Sequence, residues 1–273
     1  MMAKFVARRS GVAVNSSHMI DITAIDWNAI APFIAVGFGA QLIDGALGMA
    51  FGVITNTLLI SVLGMAPAHA SARVHIVEIF TTGASGISHA LHKNVDWKLF
   101  ARLVIPGVIG GVVGAYVLSN IDAKVARPFV MGYLSLIGFY LLFKAWGFNH
   151  VHKQPKIVEP LGLIGGFLDA VGGGGWGPVV TSNLLVQGGV PRTTIGTVNT
   201  AEFFLTVSIS AAFIANLGLE AFTLATVGLL IGGLAAAPFG AILAKRIPAR
   251  TLMTLVGIVL TLTSLFSLWK ALH

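Results

Sequence analysis

The chain contains no cysteine among its 273 residues, and only 10% of the residues are charged. The lack of cysteine excludes disulfides, thiolate metal sites and cysteine nucleophiles. An ordinary soluble domain is about 25% charged, whereas this chain is 56% hydrophobic with a mean hydropathy of +0.88. A soluble fold of this size cannot keep so much apolar side chain away from water. The composition therefore excludes a soluble enzyme, a nucleic-acid-binding module and a disordered chain, and predicts a polytopic membrane protein.

The little charge that is present is mostly positive, with a net charge of +7 and a pI near 10. In a soluble chain such a balance would suggest a nucleic-acid partner. Here the basic residues lie mostly between apolar segments, where they set orientation in a lipid bilayer. Residues 1–29 are predicted to form an N-terminal tail, because the stretch after Arg9 is too polar for a signal peptide.

Ten apolar segments follow the tail, and the polar stretch 148–160 divides them five and five. They lie at about 30–43, 51–64, 71–91, 98–119 and 125–147, and again at 161–171, 176–187, 194–217, 221–244 and 250–270. We therefore divide the chain into the tail, a first repeat at 30–147, a linker at 148–160 and a second repeat at 161–270.

The two repeats resemble each other at several positions, with a shift that varies by one or two residues. A shift of 125 places Asp44 on Asp169 and Gly52 on Gly177, and a shift of 124 places Glu78 on Glu202. Internal repeats of this length are typical of secondary transporters rather than of solenoids.

The first two segments of each repeat are too short to span a bilayer, which needs about 20 helical residues. Glycines separate them, in GALGMAFG at 45–52 and VGGGGWG at 171–177. We expect each pair to form a re-entrant hairpin with a glycine-rich tip near the midplane, followed by three spanning helices. The alternative is that both segments span and that the glycines lie in an interfacial loop.

Three spans per repeat would invert the second repeat relative to the first, and the basic residues test this topology. In the inverted arrangement ten fall on one side: Lys93, Lys98, Arg102, Lys144, Lys153, Lys156, Arg192, Lys245, Arg246 and Arg250. The internal loops of the other side hold only Lys124 and Arg127. If the repeats were parallel, five basic residues would lie on one side of the membrane and six on the other. The positive-inside rule therefore favours inverted repeats, with a cytoplasmic linker and both termini outside, although the basic residues of the tail oppose it.

Four of the ten acidic residues lie inside apolar segments, as two repeat-related pairs: Asp44 with Asp169, and Glu78 with Glu202. An ionisable group at the bilayer centre costs about 2.5–3.5 kcal/mol, so each one is a functional candidate. We expect the glutamates to carry protons. The aspartates either join them or cap helix ends near the tips.

The glycine-rich tips are candidates for anion binding, because glycine lets successive backbone N–H groups point at a ligand. Each tip precedes a short helix, whose N-terminus carries positive dipole charge. The alternative is that the glycines only allow close helix packing. Polar side chains that follow each tip would complete the shell. The candidate set is Gly48, Gly52, Asn56, Arg73, His75, Gly173, Gly174, Gly175, Trp176, Thr181, Asn199 and Thr200.

His75 and Glu78 are three residues apart and share a helical face, as do Asn199 and Glu202. Arg73 suits an oxyanion as a planar donor, and could equally be a snorkelling interfacial arginine. No catalytic triad, phosphate-binding loop or metal-ligand spacing stands out, so we expect neither an enzyme nor a metal or cofactor.

The chain resembles the TauE/SafE sulfite-exporter-like family, also called the toluenesulfonate uptake permease family. The resemblance rests on GGFLDAVGGGGWGPVVTSNLLVQGGVPRTTIGTVNTAEFF (165–204) and on NVDWKLFARLVIPGVIGGVVGAYVLS (94–119). The first repeat departs from this pattern, since Ala72-Arg73-Val74-His75 stands where Gly-Thr-Val-Asn stands in the second. The resemblance implies transport of sulfite, sulfonates or other sulfur oxyanions across the bacterial inner membrane.

These observations predict an all-α integral membrane protein with two inverted repeats. We expect a proton-coupled secondary transporter that alternates access to a small anion between its repeats. The alternatives are an anion channel or a non-transporting membrane component. The sequence leaves open whether the protein forms a homodimer.

Overall fold

The computed structural model describes residues 27–47, 49–146, 154–218, 224–246 and 249–272, and this part of the chain is helical without strands. Most of the predicted tail, Gly48 and the linker residues 148–153 lie outside the described residues.

Helices form in both halves in the same order. The first half contains α1 (Trp27–Leu47), α2 (Phe51–Ser61), α3 (Pro67–Leu91), α4 (Trp97–Asn120) and α5 (Ala123–Ala145). The second half contains α6 (Glu159–Gly172), a π-helical turn (Trp176–Thr181), α7 (Ser182–Val186), α8 (Pro191–Leu217), α9 (Leu224–Arg246) and α10 (Ala249–Leu272).

Local sequence signals explain several helix ends. The Asp96 carboxylate accepts hydrogen bonds from two N–H groups of the first turn of α4, and Asp122 caps α5 in the same way. Pro67 and Pro191 occupy the first positions of α3 and α8, where a missing N–H costs nothing.

The two halves exchange partners instead of packing as separate bundles. Helix α1 packs on α9, and its counterpart α6 packs on α4, so the first helix of each half contacts the fourth helix of the other. Helix α3 packs on α8, and α5 packs on α10. Because these contacts are reciprocal, each half completes the core of the other.

Glycines make the exchanged contacts possible. At the α4–α6 crossing a Cβ added to Gly166 would overlap the carbonyl of Gly107, and at the α1–α9 crossing a Cβ at Gly232 would overlap the carbonyl of Ile34. Small residues at such crossings let helix backbones approach closely inside a membrane.

Three of the described helices are long and apolar enough to cross a bilayer: Trp97–Asn120, Ala123–Ala145 and Thr193–Leu217. Helix α1 is 21 residues long, beyond the predicted segment 30–43. It continues through Asp44, whose carboxylate accepts a hydrogen bond from the N–H of Phe51. The apolar stretch within α1 is Ala29–Asp44, which is shorter than the about 20 residues that span a bilayer. The shortness argument therefore applies to the apolar part of α1 as well as to α2, α6 and the 11 residues at 176–186.

We expect Gly166→Ala to lower the thermal midpoint strongly, because overpacking against a backbone carbonyl costs about 1–3 kcal/mol or more. The matched control is Gly132→Ala in α5, where an added Cβ meets no atom within 4 Å. Alanine should there be neutral or slightly stabilising. Thermal unfolding in detergent measures both variants, and equal midpoints would contradict the packing account.

Candidate functional site

The breaks of the two halves lie against each other inside the molecule. A Cβ added at Gly52 would lie 2.6 Å from the Cα of Gly174 and 2.7 Å from Oε1 of Glu78. Gly173 and Gly174 have φ angles of +63° and +140°, which L side chains rarely adopt. The start of α2 therefore crosses the glycine-rich segment backbone to backbone, and only glycine fits at the crossing.

Two repeat-related aspartates cap the helices that follow the breaks. Oδ1 of Asp44 accepts a hydrogen bond from the N–H of Phe51 at 3.1 Å. Oδ1 of Asp169 accepts from the N–H groups of Gly175 at 2.6 Å and Trp176 at 2.9 Å. A carboxylate at a helix N-terminus satisfies orphan donors and complements the helix dipole.

Asp169 also connects the second break to α3. Its Oδ2 lies 3.2 Å from Nε2 of His75, and Nδ1 of that imidazole lies 2.8 Å from the carbonyl of Ser71. The Ser71 hydroxyl donates to the carbonyl of Ala170 at 2.5 Å. His75, Asp169 and Ser71 are all buried, and this network joins α3 to the end of α6.

A cavity of about 300 Å³ lies where the breaks meet. It is lined by residues of both halves: Gln41, Asp44, Met49, Ala50, Phe51, Gly52, Val53, Glu78, Thr81, Thr82, Ser85, His89, Asp169, Gly174, Gly175, Gly177, Pro178, Ile195, Asn199 and Glu202. The volume is at the lower end of the range for small-molecule sites.

All four carboxyl groups that the sequence places inside apolar segments line this cavity, and its described lining contains no Lys or Arg. Asp44 and Asp169 are occupied as caps. Oε2 of Glu78 and Oε1 of Gln41 are buried acceptor atoms without a protein donor. An unpaired buried acceptor is costly, so the cavity is suited to a ligand or proton that supplies a donor.

The predicted binding residues divide into lining residues and residues behind the cavity wall. Gly52, Gly174, Gly175 and Asn199 line it together with the four acids. Behind the wall, the Asn56 amide donates to the carbonyl of Gly172 at 2.5 Å, next to Gly173, and His75 lies behind Asp169. The buried Trp176 indole donates to the carbonyl of Val198 at 3.2 Å. These residues support the shape of the break.

Three further predicted residues also lie outside the described lining. Arg73 is half-buried and donates to the carbonyl of His69 at 2.9 Å. The hydroxyl of Thr200 donates to the carbonyl of Gly196 at 2.7 Å, and that of Thr181 is buried away from the lining.

The sequence reasoning missed other residues of the lining. Gln41 precedes Asp44 by three residues on α1, and Thr81, Thr82, Ser85 and His89 follow Glu78 at helical spacing on α3. That spacing was the available signal, because residues three, four and seven apart share a face. Among the described residues, no three His, Asp or Glu side chains are arranged so that they could hold a metal ion.

One basic residue that the sequence assigns to a loop side is instead buried. Lys144 in the last turn of α5 is 8% exposed, and its Nζ donates to the hydroxyl of Ser182 at 2.5 Å. Ser182 begins α7, directly after the π-helical turn. The ammonium group therefore joins α5 to the broken helix of the second half.

Comparison with known proteins shows the family of the chain. A family model described as "Sulfite exporter TauE/SafE" matches residues 33–267. The "Probable membrane transporter protein YtnM" of Bacillus subtilis (strain 168) is 45% identical over 234 residues, which cover 82% of this chain and 78% of that protein. No solved structure matches the chain. Family and relative both indicate a multi-pass membrane transporter rather than an enzyme.

The capping network predicts an order of stability losses. Asp169→Ala leaves two buried N–H groups without their acceptor and removes the partner of His75, at about 1–3 kcal/mol per unsatisfied donor. Asp44→Ala removes one such bond and should lower the thermal midpoint less. Asp96→Ala, at an exposed cap of α4, is the control and should cost about 1 kcal/mol. A loss at Asp169 no greater than at Asp96 would contradict the proposed network.

Proposed function

The chain belongs to the TauE/SafE sulfite exporter family, and we propose that it is a secondary transporter of a small anion. The proposed substrate class is sulfite, an organosulfonate or another sulfur oxyanion, carried across the bacterial inner membrane with protons. The observation that carries the proposal is the shared cavity, because both breaks and all four intramembrane acids line one space of about 300 Å³.

The backbone at the breaks supports an anionic substrate. The first helical hydrogen bond of α2 runs from the N–H of Ile54 to the carbonyl of Ala50, so the N–H groups of Gly52 and Val53 have no acceptor within the helix. Both residues line the cavity. Helix starts of this kind carry partial positive charge and bind anionic substrate groups in transporters with broken helices.

The glutamates give a physical reason for coupling to protons. An anion 4 Å from an ionised carboxylate is repelled by about 4 kcal/mol at an effective dielectric constant of 20, and no Lys or Arg is in the described lining to offset this. Protonated Glu78 and Glu202 remove the repulsion and offer O–H donors. Anion and proton therefore favour each other's binding, and we expect tighter anion binding as the pH falls.

The other titratable groups in or beside the cavity are either hydrogen-bonded within the protein or lie at its far end. Asp44 and Asp169 are held by backbone N–H groups, and His75 lies behind Asp169. His89 lies at the far end of the lining on α3. The two glutamates are therefore the acids of the cavity that do not cap a helix.

The reciprocal packing of the halves supports alternating access, in which one repeat moves against the other around a fixed site. We propose inverted repeats at 30–147 and 161–270, each with a re-entrant hairpin and three spans. The linker would then be cytoplasmic and both termini outside. A homodimer stays a prediction of the sequence.

Currents on a solid-supported membrane test the proposal with purified protein in proteoliposomes. We expect sulfite or a small organosulfonate to produce a saturable current that depends on a proton gradient. Glu78→Gln and Glu202→Gln should each reduce the proton-dependent component by about tenfold or more, within the usual range of coupling energies. Glu159→Gln is the matched control, because Glu159 is exposed and paired with Arg102 outside the cavity.

Each alternative gives a different result. Flux that does not saturate and ignores a counter-gradient would indicate a channel. No current with any sulfur oxyanion in either orientation would contradict the transport proposal. Unchanged proton dependence in both glutamine variants would contradict only the coupling role of the glutamates.

A further inference from the structure

Helices α3 and α8 are repeat counterparts that run antiparallel beside the cavity. Phe213 near the end of α8 has its ring 6.2 Å from that of His75 in the first half of α3. At the other end of the pair, the Asn199 amide near the start of α8 donates to the hydroxyl of Ser85 in the second half of α3 at 3.0 Å. One end of this helix pair therefore holds His75 and Phe213, and the other holds Ser85 and Asn199.

At the end of the helix pair that contains Ser85, one face of α3 carries polar side chains. Thr81, Ser85 and His89 follow Glu78 by three, seven and eleven residues, so they form one face of the helix, and all of them line the cavity and are half-buried. We call these three residues the α3 strip. At 1.5 Å per residue the distance from Glu78 to His89 is about 16 Å, roughly half the hydrocarbon thickness.

The corresponding face of α8 is apolar. The shift of 124 that relates Glu78 to Glu202 places the α3 strip on Leu205, Ile209 and Phe213. These three residues, which we call the α8 plug, are 0% exposed. An added Cβ at Gly111 of α4 would lie 2.7 Å from side-chain atoms of both Leu205 and Ile209, so the plug is packed tightly against α4.

We propose that the α3 strip is the aqueous route by which solutes reach the cavity from the end of the molecule where α3 finishes, and that the α8 plug is a closed gate towards the opposite end. The two faces are matched by the repeat but opposite in polarity, so one end of the cavity is wetted and the other is dry. The proposal does not depend on the identity of the substrate or on the proton-coupling role of the glutamates.

Polarity decides which end admits water. Hydroxyl and imidazole groups can hydrogen-bond to water at any depth in the protein, whereas closely packed leucine, isoleucine and phenylalanine offer no partner. Moving a polar group into such a surrounding without a partner costs about 2–7 kcal/mol. A hydrophilic solute therefore meets a barrier at the plug and none of this kind along the strip.

The absence of cysteine makes the chain a direct background for labelling single introduced thiols. Ser85→Cys and Ile209→Cys stand at positions matched by the repeat. A membrane-impermeant methanethiosulfonate reagent, applied to sealed proteoliposomes and to detergent-solubilised protein, reports access by mass spectrometry. Lys93→Cys and Asp122→Cys mark the two aqueous ends, because these exposed residues flank the opposite ends of α4.

We expect the cysteine at position 85 to react at least about tenfold faster than that at 209, and only from the side that labels position 93. Equal rates at 85 and 209, or labelling of 85 from the side of position 122, would overturn the proposal. Detergent-solubilised protein that leaves both positions unlabelled would overturn the aqueous route.

A second pair of variants keeps the test independent of one substitution. Thr81→Cys and Leu205→Cys are also repeat counterparts and should show the same order of rates. As a further check, Ser85→Ile gives α3 the isoleucine that stands at the matching position 209 of α8. This change should slow labelling of a cysteine at position 81 by about tenfold. An unchanged rate in that double variant would contradict passage along the strip. Loss of transport with these labelling rates intact would instead bear on the proposed function.

Discussion

The structure depends on the contact between two broken helices inside an apolar protein. Gly52 lies on Gly173 and Gly174 so closely that no Cβ fits between them. Non-helical backbone is tolerated at such a place only where it is packed in protein or lines a cavity, because lipid offers no hydrogen bonds. Asp44 and Asp169 supply acceptors for the N–H groups that the breaks leave without a helical partner. The cavity follows directly, since the breaks leave space that helices would have filled.

The four intramembrane acids share an origin in the repeat but differ in use. The aspartates are occupied by backbone N–H groups and hold the helix starts in position, whereas Glu78 keeps one carboxyl oxygen without a protein partner. Structural and functional carboxyl groups can therefore line one cavity, and their hydrogen bonds determine which role each group has. The buried Lys144 donates a hydrogen bond to Ser182 beside the second break, so this basic side chain has a structural role, as the two aspartates do.

Duplication explains the architecture, and divergence between the copies explains its asymmetry. Exchanged packing of α1 on α9 and α6 on α4 makes the halves inseparable, and glycines at these crossings permit it. The copies have kept their acids and breaks but differ between Ser85 and Ile209, and between His89 and Phe213. Such differences allow a symmetric scaffold to hold its site open towards one end.

The sequence by itself determined the membrane class, the repeat, the positions of both breaks and the four acids inside apolar segments, because composition, hydropathy and residue spacing are local properties. It placed Asn199 near the site but missed Gln41, Ser85 and His89, and it shortened α1 at both ends. Only the tertiary structure decided the exchange of helix partners, the pairing of Asp169 with His75 and the burial of Lys144. The hydrogen bonds involved join residues that are 38 to 99 positions apart in the chain, and such contacts are set by packing of the whole molecule rather than by any local pattern.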